Sequence, residues 1–83
     1  DTRNFYVQMI ACIPSMEKIG EWGYVVMANN MLGIMSLNRG NAPYAMDYYL
    51  KALSYCEKYG LPNLEWIVHM NIGSLYLNIH EYQ

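Results

Sequence analysis

The sequence predicts an all-α fold in which antiparallel helix pairs stack in a periodic array. Three observations predict it. Glu17-Lys18-Ile19-Gly20 returns forty residues later as Glu57-Lys58-Tyr59-Gly60, Leu32-Gly33 as Ile72-Gly73, and Leu37-Asn38 as Leu77-Asn78. Between chain breakers the apolar residues keep helical spacing, most clearly at Ala45, Tyr49, Ala52, Leu53 and Cys56, which follow i, i+4, i+7, i+8, i+11. No stretch alternates apolar and polar residues as a half-buried strand does. Echoes at one offset in separate places mark about two periods of a forty-residue unit, each unit resting on the next.

Residues 4 to 13 carry Phe5, Val7, Met9, Ile10, Cys12 and Ile13 without a breaker, which predicts a helix. Pro14 removes one hydrogen bond and crowds the preceding turn. The first helix either kinks there or stops near Ile13 and restarts, and Gly20 ends it. The second helix runs from Glu21 or Trp22 to Asn38. Its apolar residues, Trp22, Val25, Val26, Ala28, Met31, Leu32, Met35 and Leu37, cover most of its circumference, so it should be buried on several sides. Gly33 in its interior costs about 1 kcal/mol relative to Ala. Close approach of a neighbouring helix accounts for it.

Arg39-Gly40 forms the next turn. Asn41 is an N-cap and Pro43 sits in the first turn, where its missing N–H is harmless. The third helix spans Ala42 to Tyr59 and Gly60 ends it. Pro62-Asn63 opens a fourth, running to about Ile79, and Glu81-Tyr82-Gln83 would open a fifth. The short turns make consecutive helices antiparallel.

Composition excludes several classes. Hydrophobic residues make up 54% of the 83 and charged residues 14%, which rules out a disordered chain. The net charge of −2 gives no electrostatic support for binding nucleic acid. No apolar run is long enough to span a membrane. The start, Asp1-Thr2-Arg3-Asn4, is not a signal peptide and lacks an initiator Met, as expected of a chain cut from a larger protein. Cys12 and Cys56 read as buried small hydrophobes in a reducing, cytoplasmic compartment.

The unit resembles the tetratricopeptide repeat. The resemblance is carried by Leu32-Gly33, Gly40, Ala45, Tyr49, Ala52 and Leu53, and in the next copy by Trp66, Ile72-Gly73, Tyr76 and Tyr82. It departs from the family at Ser36, where an aromatic is usual, at His80, where a turn glycine is expected, and at Glu57, where proline is common. The period is forty rather than thirty-four. The longer form looks like a variant common in bacterial regulatory proteins, closest to arrays that precede GGDEF-type diguanylate cyclase domains or other signalling outputs.

The resemblance implies a single domain over residues 1–83, a fragment of a right-handed superhelical solenoid with one full repeat at about 26–59. It also implies a function in binding a protein or peptide partner. Self-association that dimerises an output domain is the alternative. Such an array binds on a concave face lined by the first helix of each repeat. Repeat register places Met27, Asn30, Ile34, Leu37 and Asn38 there, followed by Ile67, Met70, Ser74, Leu77 and Asn78. Asn38 and Asn78 are equivalent, and an amide that donates and accepts suits the backbone of an extended peptide. Each would serve equally to cap the end of its helix.

Catalytic and metal chemistry find little footing. His69 and His80 are eleven residues apart, about 16 Å along a helix, too far for one metal. Glu65 and His69 at i, i+4 offer two ligands, too few for structural zinc. Ser15, Ser36, Ser54 and Ser74 have no His and carboxylate at triad-like spacing, and no glycine-rich phosphate loop exists. The expectation is therefore no enzyme, no cofactor and no metal site. The tyrosines are the other conspicuous set. Tyr49 lies on the alanine face and should be core. Tyr44, Tyr48, Tyr55 and Tyr59 lie off it, either padding the next helix with hydroxyls in water or forming an aromatic interaction surface.

Overall fold

The computed structural model describes residues 2–81, and for residues 2, 80 and 81 the backbone alone. It is all-helical over that span: α1 Thr2–Lys18, α2 Trp22–Asn38, α3 Ala42–Tyr59 and α4 Pro62–Glu81. Glu81 closes α4 rather than opening a fifth helix. Tyr82 and Gln83 lie outside the described residues. None of these helices is long and apolar enough to cross a membrane.

The turns are set by local chemistry. Gly20, Gly40 and Gly60 all adopt positive φ, between 65° and 78°, where a side chain would strain the backbone. At the end of α2 the amides of Gly40 and Asn41 turn back onto the carbonyls of Leu37 and Ser36, both at 2.9 Å, which serves two otherwise orphaned acceptors. The Asn41 side chain accepts from the Tyr44 amide at 3.3 Å and so caps α3. Pro14 neither stops nor splits the first helix, since α1 is unbroken through it. Pro14 and Ile10, whose carbonyl loses its partner, are both exposed, so the lost bond falls on a side that water can reach.

Helix α2 is the hub. It packs against α1, α3 and α4, while α3 also packs on α4. The core holds Val26 from α2, Ala45, Tyr49, Ala52 and Cys56 from α3, and Val68 and Leu75 from α4, none more than 1% exposed. The stripe Ala45-Tyr49-Ala52-Cys56 is therefore the buried face of α3, with Leu53 half-buried beside it. Gly33 permits the α2–α3 contact. A Cβ at that position would lie 2.6 Å from Cδ1 of Tyr49, so the tyrosine ring occupies the space a side chain would need.

Candidate interaction surface

The tyrosines off the core face join helices. Tyr48 and Tyr6 meet through their hydroxyls at 3.1 Å, with the rings edge to face, which ties α3 to α1. The Tyr55 hydroxyl donates to the Glu17 carboxylate at 2.5 Å and makes a second tie between the same helices. Trp22, the first residue of α2, stacks on Tyr59 at a centroid distance of 4.0 Å and on Tyr55 at 5.6 Å. Arg39 sits 4.9 Å over the Tyr6 ring and Lys51 5.8 Å over Tyr48. The hydroxyls of Tyr48 and Tyr55 thus find protein partners rather than water. Tyr44 is the outward member, at 58% exposure.

These contacts hold the phenols neutral. Burial, then the hydrogen bond between its hydroxyl and that of Tyr6, pushes Tyr48 up to about 12. The hydrogen bond to Glu17, then burial, pushes Tyr55 up to about 12. Burial also raises Tyr49 and the Cys56 thiol. Both cysteines are free. Cys56 is buried as expected, but Cys12 is exposed, because the α1 face that carries it has no helix over it.

The residues expected to line a concave face separate into two groups. Asn30 is buried, and its Oδ1 accepts from Nδ2 of Asn71 at 2.8 Å, a direct bond between α2 and α4. Ile34 and Leu37 are half-buried and pack against the core, so they hold α2 in place. Met27, Asn38, Met70, Ser74 and Leu77 are exposed, and Ile67 and Asn78 are half-exposed. The Asn38 amide does not cap α2, since the backbone of Gly40 and Asn41 does so. Asn29 turns inward, with Nδ2 donating to the Val25 carbonyl at 2.9 Å. The Ser36 hydroxyl is buried without a partner.

Two recesses lie elsewhere. An apolar groove of about 270 Å³ runs along α1 and α2, lined by Phe5, Met9, Cys12, Ile13, Met16 and Ala28 among others. A more polar recess of about 360 Å³ lies between α1 and α3, with Glu17, Asn29, Lys51 and Ser54 on its walls. No family model, curated protein or solved structure matches this chain. Its surfaces therefore have to be read from their own chemistry.

Nε2 of His69 lies 3.7 Å from Oε1 of Glu65, one turn away on α4. Among the described residues no three metal-capable side chains converge. The apolar groove was missed by reading the sequence for conspicuous residues. The signal was present: Phe5, Met9, Cys12 and Met16 in the groove stand forty residues before the core positions Ala45, Tyr49, Ala52 and Cys56.

Proposed function

We propose that the chain is a tetratricopeptide-like array that binds a protein or peptide segment and is not itself an enzyme. In this reading it is the regulatory or sensory part of a larger bacterial signalling protein, with a GGDEF-type diguanylate cyclase as one such output. The reading includes a cytoplasmic location, where the free thiols of Cys12 and Cys56 stay reduced.

The observation that supports it is the Asn30–Asn71 bond, which sets α2 and α4 side by side. Met27 and Asn38 on α2 are exposed, as are Met70, Ser74 and Leu77 on α4. Flexible thioethers and aliphatics adapt to a partner's side chains, and the amides answer its backbone. A display library of short extended peptides provides the probe. The double variant Asn38→Ala/Asn78→Ala should lose selected peptides while keeping its helical circular dichroism. Unchanged peptide affinity in that variant would overturn the reading.

A second reading, self-association that brings output domains together, is favoured by a separate observation. Large apolar side chains are exposed on both α1 and α4: Phe5 is 50% exposed, Trp66 65% and Leu77 70%.

A further inference from the structure

Helices α1 and α3 each pack on α2, and their backbones do not meet. Side chains bridge the space between them at two levels. The hydroxyls of Tyr6 and Tyr48 meet at one, and Tyr55 donates to Glu17 at the other. Between those ties lies the recess of about 360 Å³. Its walls come from α1 and α3, and Asn29 and Leu32 of α2 form its floor. Three consecutive helices of one chain thus supply the whole lining.

Acceptors gather on the α1 and α2 side. Asn29 is 3% exposed. Its Nδ2 donates to the Val25 carbonyl, which fixes the orientation of the amide and leaves Oδ1 to the recess. An acceptor so buried costs free energy until a donor reaches it. Ile10, Pro14 and Glu17 follow at i, i+4 and i+7 on one face of α1, and all three line the recess. Pro14 has no N–H to give the Ile10 carbonyl, so a second acceptor stands on that face. Glu17 takes the Tyr55 hydroxyl through Oε2 and keeps Oε1. The α3 wall supplies donors instead, the Lys51 ammonium and the Ser54 hydroxyl. Glu17 and Lys51 share the lining but form no ion pair with each other.

We propose that this recess binds a free aliphatic α-amino acid. The ligand's ammonium donates to Asn29 Oδ1, the Ile10 carbonyl and Glu17 Oε1. Its carboxylate meets Lys51 and Ser54, and its side chain lies against Ile13 and Leu32. The charges select a zwitterion: a bare cation would leave Lys51 opposed, and a bare anion would leave Glu17 opposed. The size suits a single residue, because the recess is near the lower end of ligand pockets, about 300 Å³. The site is separate from the exposed α2–α4 residues of the peptide reading and goes beyond that reading. An occupant adds a third tie between α1 and α3.

Isothermal titration calorimetry of L-leucine, L-isoleucine and L-valine tests this, with thermal unfolding followed by circular dichroism alongside. At least one of the three should bind one to one and raise the unfolding midpoint. Its amide lacks the carboxylate and its N-acetyl form lacks the ammonium, so each should bind at least about tenfold more weakly. Lys51→Met should erase the preference for the acid over the amide. Glu17→Gln keeps an acceptor for Tyr55 and should erase the preference for the free amine over the N-acetyl form. Pro14→Ala separates recognition from folding. It returns an N–H to the Ile10 carbonyl, so the unfolding midpoint should rise while affinity falls several-fold. Saturable binding by none of the three amino acids overturns the proposal. So does equal binding of the amide or the N-acetyl form, and so does unchanged affinity in all three variants. Asn38→Ala/Asn78→Ala should bind the amino acid as the wild type does, so failure of this site and failure of the peptide reading give different results.

Discussion

Gly33 and Gly73 occupy the same register on α2 and α4, yet a methyl group would meet opposite surroundings at the two. At Gly33 it would run into the Tyr49 ring, which fills the space against α2. At Gly73 it would meet open space. The same contrast extends along both helices. Val26 is fully buried and its counterpart Trp66 is 65% exposed, while Ser36 is 3% exposed and Tyr76 55%. A repeated sequence therefore repeats the face a helix presents, and whether that face is covered depends on which helices surround it. In α2 the glycine is a fitted contact. In α4 it is a fitting with nothing yet against it.

The sharpest way to break this comparison is to add one methyl at each site. Gly33→Ala should destabilise the chain by about 1–3 kcal/mol, because the buried ring opposite has little room to yield. Thermal unfolding followed by circular dichroism would show it as a lower midpoint, and an unchanged midpoint would mean that Tyr49 does not hold that space. Gly73→Ala should act in the opposite direction. It should stabilise the chain by about 1 kcal/mol through helix propensity alone. A loss of stability there would show that the α4 face is already covered.

The aromatic ties between α1 and α3 give a pH test of similar size. Folding raises the pKa of Tyr48 and Tyr55 from 10.0 to about 12, so their neutral forms are favoured in the native state. That stability is fully present below pH 10 and is lost as pH rises from 10 toward 12. Urea titrations across this range should show the fall, by roughly 1 kcal/mol after solvent screening of these partly exposed groups. Tyr55→Phe should flatten part of it. The smallest effect is expected at Ser36, whose buried hydroxyl has no partner. Ser36→Ala should be neutral or stabilising by up to about 1 kcal/mol, since it removes an unsatisfied polar group.

What could be read from the chain follows the range of the forces involved. Asn41 as a cap, the glycines at positive φ and the stripe from Ala45 to Cys56 act within one or two turns, so α2 and α3 fall where local spacing puts them. Pro14 was legible as a cost but not as an outcome, because a helix can carry that cost where water reaches the freed carbonyl. Cys12 and the tyrosine hydroxyls were misjudged for a different reason. Cys12 has the composition of a core position, and Tyr55 has that of a wet surface position. Cys12 nevertheless lies on an uncovered face, and Tyr55 reaches a carboxylate thirty-eight residues away. Among the expected lining residues, the amide of Asn30 became an internal bond to Asn71, whereas that of Asn38 stayed outside. Register places both on one helix but does not say which amide finds a neighbour.

The sequence by itself determined the helices, their turns and the forty-residue equivalence of α1 with α3 and α2 with α4, because hydrophobic period, capping and glycine conformation are local properties of the chain. Only the tertiary structure decided which of those equivalent faces is filled. Burial is a property of pairs of helices: α2 has neighbours on both sides, while α1 and α4 each keep one side bare.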